Sequence, residues 1–129
     1  MIVVDASALI DKLTFSERGD DIERLLRDAD ALASPELVYA EVASALWRQV
    51  RADVVSPAEA NEAIDDLLDL PLIAVPLRGL LSQAWGYRQH TRISDSFYLA
   101  CAYQLNATLL TTDARLARGH HGISVTLVS

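Results

Sequence analysis

Four acidic residues, Asp5, Glu41, Asp95 and Asp113, stand where a carboxylate has chemistry open to it. Glu41 is the sharpest case. In a helix its neighbours at i−4, i−3, i+1 and i+4 are Leu37, Val38, Val42 and Ala45, so its face is apolar. An ionised carboxylate on such a face is costly unless it is paired or holds a metal, and a salt bridge to a distant arginine is the competing explanation. Asp5 and Asp113 each stand between an apolar run and a helical one, where an aspartate is also an ordinary cap. Asp95 follows Ser94 at the start of a helix, where a first-turn acid also suits the helix dipole. Taken together, four oxygen donors without a His or Cys cluster suit a hard cation, Mg²⁺ or Mn²⁺, rather than zinc. Such cations can make water nucleophilic and neutralise developing charge, chemistry that a phosphodiester hydrolysis, among other reactions, would use. His90, His120 and His121 sit among Arg and Gly and read as solvated loop or helix-end residues, not ligands.

The charge distribution singles out two of the same residues. Net charge is −7, which at face value opposes nucleic-acid binding. Residues 1 to 70 carry sixteen acids against six bases, whereas residues 71 to 129 carry five arginines and only two acids, Asp95 and Asp113. Arg88, Arg92, Arg115 and Arg118 are therefore candidates for gripping a phosphate backbone, beside the alternative of solvated surface arginine. A metal-filled pocket would offset the local negative charge. Trp85 or Tyr87 could stack a base, although packing on a helical face explains both.

Strands alternating with helices must position these groups. Ile2-Val3-Val4 reads as a buried strand ended by Asp5, with a helix from Ala6. Residues 20 to 29 form an amphipathic helix with Ile22, Leu25, Leu26 and Ala29 on one face. Ala31-Leu32-Ala33 is a short strand, and Ser34-Pro35-Glu36 reads as cap, first helical position and first-turn acid of a helix to about Arg51. Ser56-Pro57-Ala58-Glu59 is a complete capping box opening a helix to about Leu70. Strands follow at 72–75, 107–111 and 123–128, and helices at 77–89, 95–105 (capped by Ser94) and 113–118. This alternation implies a parallel sheet covered on both faces, with ligands outside the carboxyl ends of its strands. Asp5 and Asp113 both fall at such ends.

The length fits one domain spanning residues 1–129, and a composition 51% apolar and 22% charged is that of a compact globule. No signal-peptide pattern or membrane-length apolar run is present, which argues for a cytoplasmic protein. Cys101 lies within an apolar helical run and reads as a buried residue rather than a reactive thiol.

The chain resembles PIN-domain proteins, specifically the VapC-type ribonuclease toxins of toxin–antitoxin pairs. The resemblance rests on Val3-Val4-Asp5-Ala6-Ser7, on Glu41 in the helix Pro35 to Val42, on Asp95-Ser96-Phe97-Tyr98-Leu99-Ala100, and on Leu109-Leu110-Thr111-Thr112-Asp113-Ala114-Arg115-Leu116. It spans the whole chain, and the order and spacing of the pieces are more specific than any one of them. It implies a three-layer α/β/α sandwich with a mostly parallel sheet of four to five strands, and an acidic pocket of Asp5, Glu41, Asp95 and Asp113 for Mg²⁺ or Mn²⁺. By the same match, Thr111 and Ser7 supply hydroxyls that support the pocket. The family further implies RNA endonucleolysis, homodimerisation and a small antitoxin encoded by an adjacent gene.

Other classes fit less well. A haloacid-dehalogenase-type enzyme would want a second acid two residues after Asp5, where Ser7 stands, and a receiver-type one a phosphate acceptor after a middle strand, where Val75 precedes Pro76. A non-catalytic module keeping the acids as caps and salt bridges, and a housekeeping RNA-processing nuclease, remain the alternatives to the toxin.

Overall fold

The short apolar runs of the sequence become five strands: β1 (Ile2–Val4), β2 (Leu32–Pro35), β3 (Leu72–Val75), β4 (Thr108–Thr111) and β5 (Val125–Leu127). In the computed structural model, which describes residues 1–118 and 122–129, they form one sheet in the order β3-β2-β1-β4-β5. Every pairing is parallel. His120 and His121 lie outside the described residues.

The helices are α1 (Ala6–Leu13), α2 (Gly19–Asp28), α3 (Leu37–Arg51), α4 (Pro57–Asp69), α5 (Leu81–Gly86), α6 (Ile93–Leu105) and α7 (Ala114–Ala117). From β1 the chain steps outward through β2 to β3, then returns past β1 to β4. Right-handed crossovers that reverse direction in this way put α1 to α4 on one face and α5 and α6 on the other. The packing agrees, with α6 lying on β1, β2, β4 and α5, and α3 on β2 and α1. The three-layer α/β/α sandwich expected from the sequence is what the chain forms. Val3, Val4, Leu109 and Leu110 are fully buried between the layers, as unbroken apolar strands require. Among the described residues no helix is long and apolar enough to cross a membrane.

The reversal makes the boundary between β1 and β4 a topological switch point, where crevices open at the carboxyl edge of such sheets. The residue after β1 is Asp5, and the last residue of β4 is Thr111.

Three local expectations change. Ser34 and Pro35 belong to β2 instead of starting a helix. Pro35 pairs with Val75 on one side and lies past the last β1 rung, Val3 with Ala33, on the other, so its missing N–H breaks no bond to β1. Ser34 Oγ donates to the Val4 carbonyl at 2.9 Å and Glu36 precedes α3 without a side-chain cap. Ser94 is likewise inside α6, whose cap position is Arg92 with extended backbone. The helix expected over 77–89 is broken into a 3₁₀ turn, Arg78–Leu80, and the six residues of α5. Gly79 and Gly86 weaken helix there. The Ser56–Glu59 capping box forms in full, and Asn106 ends α6 in the left-handed conformation, φ 50°, turning the chain directly into β4.

Candidate functional site

Asp5 is 4% exposed, on the carboxyl edge of the sheet. One oxygen, Oδ1, accepts from the Ala8 backbone N–H at 2.9 Å and from Ser7 Oγ at 2.8 Å, so the residue does cap α1. The other, Oδ2, accepts from Thr111 Oγ1 at 2.5 Å. Burial pushes its pKa up to about 6, against the lowering effect of these three hydrogen bonds and with a small further rise from the charge of Asp95. Thr111 is itself buried, and its Oγ1 accepts from the Asp113 backbone N–H at 3.0 Å. The two hydroxyls thus tie the ends of β1 and β4 together, Ser7 Oγ also accepting from the Thr112 N–H at 3.2 Å.

Glu41 lies on the half-buried side of α3, and no cation sits within ion-pair distance of it among the described residues. Its partner is Tyr98, 1% exposed on α6, whose Oη donates to Glu41 Oε1 at 2.5 Å. Burial, then this carboxylate, raise the Tyr98 pKa well above the ordinary phenol value, so the phenol stays a donor.

Asp95, in the first turn of α6, and Asp113, the cap of α7, share Arg92. The guanidinium Nε lies 3.1 Å from Asp95 Oδ2, and its terminal nitrogen 3.9 Å from Asp113 Oδ2.

Asp5, Glu41, Asp95 and Asp113 line one depression of about 180 Å³, together with Ser7, Arg48, Arg92 and Tyr98. They come from four different elements, the two faces of the sandwich meeting over the switch point. As placed, no three acidic, histidine or cysteine side chains among the described residues close on a single point. Arg92 occupies the space between two of the acids and supplies the positive charge there. The donor set nevertheless fits a divalent cation in kind: oxygen only, anionic, and held in orientation by hydroxyls and a phenol behind it.

The other sequence candidates are more scattered. Thr111 lies behind Asp5 rather than in the depression wall. Arg115 lines a neighbouring depression with Arg92 and Asp95. Arg88 instead stacks over the Trp85 ring at 4.9 Å and bonds the Trp85 carbonyl, and neither it, Tyr87 nor Arg118 lines the acidic depression. Two lining residues were not singled out as functional from sequence, Tyr98 and Arg48. Tyr98 follows Asp95 by three positions and Arg48 follows Glu41 by seven, each on the helix face of an acid. The spacing does not report that Tyr98 bonds Glu41 across the pocket, or that Arg48 lacks an ion-pair partner among the described residues. Cys101 is buried and burial pushes its thiol up to about 12, as its apolar surroundings predicted.

Comparison with known proteins gives a consistent result. A family model described as PIN domain matches residues 2–120. Ribonuclease VapC3 of Mycobacterium tuberculosis is 37% identical over 117 residues, covering 91% of this chain and 85% of that protein. Ribonuclease VapC12 of the same species is 31% identical over the full length of both. In fold, the chain is similar to VapBC2 from Rickettsia felis, solved bound to a promoter DNA fragment, with a TM-score of 0.72 at 15% identity over all of both chains. It is also similar to Mycobacterium tuberculosis VapC20, a sarcin–ricin loop cleaving toxin, with a TM-score of 0.70 at 17% identity, covering 91% of this chain and 93% of that one.

Proposed function

The chain belongs to the PIN-domain family, and from that premise we propose that it is a VapC-type endoribonuclease, the toxin of a toxin–antitoxin pair, hydrolysing RNA with a divalent cation. The observation that supports this reading most is the convergence of Asp5, Glu41, Asp95 and Asp113 on one depression at the sheet's switch point. These four carboxylates would hold Mg²⁺ or Mn²⁺. When bound, the cation supplies a nucleophilic water at neutral pH and neutralises charge on the phosphate.

The chain's own groups do the rest. Thr111, Ser7 and the Ala8 N–H fix both oxygens of Asp5, and Tyr98 fixes Glu41. Preset orientation of this kind removes reorganisation from the reaction step. Arg92 bridges Asp95 and Asp113, the acids that would hold the cation, and its guanidinium would suit a substrate phosphate beside them.

The protein is one PIN domain, works in the cytoplasm as a homodimer, and is held inactive by a small antitoxin encoded beside it. The relatives named VapC, and the neighbour solved as a VapBC pair, support the toxin over a housekeeping nuclease.

Cleavage of a mixed RNA pool with Mg²⁺ or Mn²⁺, and with chelator instead, tests the chemistry. Wild type is expected to cut only with metal, and Asp5→Asn or Glu41→Gln to lose about a hundredfold or more in rate. Equal cutting by wild type and Asp5→Asn would refute the mechanism. Growth arrest on induced expression, relieved by co-expressing the neighbouring gene, tests the toxin role, and light scattering tests the dimer.

A further inference from the structure

The acidic depression does not stand alone. On the α3 side it shares Glu41 and Arg48 with a second depression of about 300 Å³, completed by Ala40 and Ser44. On the α6–α7 side it shares Arg92 and Asp95 with a third of about 180 Å³, which includes Arg115. The three run together as one trough, acidic in the middle and arginine-bearing at each end.

The α3 end is built by the helix period. Ala40, Ser44 and Arg48 recur every fourth position and are all exposed, so they form one ridge beside Glu41. Alanine and serine keep that ridge low, and Arg48 stands at its far end. Arg92 is engaged by two carboxylates, whereas Arg48 has no acidic group within ion-pair distance among the described residues. An exposed, unpaired guanidinium bordering a nuclease pocket is matched to a phosphate, which its planar fork binds in two places at once.

We propose that a single RNA strand lies along this trough, with Arg48 holding the backbone phosphate on the α3 side of the cut and Arg115 the backbone on the α7 side. The inference rests on the ribonuclease reading and adds to it a strand path and a subsite on α3. The arrangement suits an extended strand, because contact at both ends is to backbone and the acids between them are left to the scissile phosphate. Arg48 is thereby a substrate-positioning residue that acts on binding.

The test is binding of a fluorescein-labelled 2′-O-methyl RNA oligonucleotide, its integrity checked on a gel, measured by anisotropy over a series of salt concentrations with Mg²⁺ present. Arg48→Gln is expected to bind about three- to tenfold more weakly, and its plot of log affinity against log salt to be shallower by about 0.7, the value of one single-strand phosphate contact. Arg48→Lys should restore the slope, and Arg27→Gln, a surface change on α2, should match wild type. Arg48 is exposed, and thermal unfolding checks that its variants fold. Wild-type slope and affinity in Arg48→Gln would overturn the proposal. Cleavage of unmodified RNA is run in parallel. Cutting by wild type with an Arg48-independent slope sinks the trough and leaves the ribonuclease standing. An Arg48-dependent slope without any cutting sinks the ribonuclease and leaves an RNA-binding subsite. A wild type that neither binds nor cuts overturns both.

Discussion

Tyr98 and Glu41 are 57 positions apart in the chain and meet in a 2.5 Å hydrogen bond from phenol to carboxylate, joining α6 to α3 across the pocket. Tyr98→Phe keeps the buried ring and removes only the donor. Stability should fall by about 1.5 to 3 kcal/mol, as for a hydrogen bond to a charged group, read by denaturant unfolding. Mn²⁺ affinity should fall by about tenfold or more, because Glu41 loses the group that orients it. Unchanged Mn²⁺ binding in a folded Tyr98→Phe protein would show that the bond serves packing alone.

Thr111 is the corresponding support for Asp5, and it also accepts from the Asp113 N–H. Thr111→Val preserves shape and deletes both bonds in a buried site. A loss of about 2 to 3 kcal/mol is expected from the stranded partners, together with about ten- to a hundredfold in cleavage rate. Thr111→Ser should recover most of the rate.

Asp5 makes metal-free stability depend on pH. Its folded pKa of about 6 lies above the ordinary carboxylate value of 3.8, so the folded state binds the proton more tightly than the unfolded one. The stabilisation is fully present below about pH 4 and lost as pH rises through about 6, a change of about 3 kcal/mol from this group. Chemical unfolding of chelated protein should show that decline, and Asp5→Asn should lack it. Millimolar Mn²⁺ should reverse it in wild type, since a cation favours the ionised carboxylate.

On the proposed reading, Arg92 and a divalent cation would compete for the same carboxylates. Arg92→Gln frees Asp95 and Asp113, so calorimetry should find Mn²⁺ bound about two- to fivefold more tightly, the size of one partly exposed ion pair. Cleavage should fall despite the better-filled site, if the released guanidinium serves the substrate phosphate. Weaker metal binding in Arg92→Gln would mean that Arg92 positions the acids instead of competing for them.

Most of the architecture was legible from apolar runs of three to five residues separated by helical periodicity. That alternation permits little except a parallel sheet with helices on both faces. The errors came where one residue type serves two local structures. Ser-Pro starts α4 at Ser56 and Pro57, yet the same dipeptide at Ser34 and Pro35 closes a strand. The difference lies in neighbours far along the chain: Val75 pairs with Pro35, and β1 has already ended.

The site was readable to a different depth. Glu41 stood out because an acid on an apolar face needs a metal or a partner; the competing explanation, a distant arginine, is not what the chain supplies, since the partner is a tyrosine. The dual role of Asp5, helix cap and pocket wall at once, dissolves the choice posed between them. Arg48 went unnoticed because its meaning depends on what lacks a partner in space, which no spacing along one helix reports.

The mid-sheet position of β1 also sets an order of events while the chain is being synthesised. Its neighbour on one side, β2, is complete by residue 35, but the neighbour on the other side arrives only with residues 108–111. Until then one edge of β1 is open, and Asp5 has neither Thr111 behind it nor Asp113 opposite. Long-range pairing of this kind forms late. The pocket therefore cannot assemble before β4 does, and a growing chain on the ribosome, surrounded by RNA, carries no finished nuclease until residues 108–113 have been made.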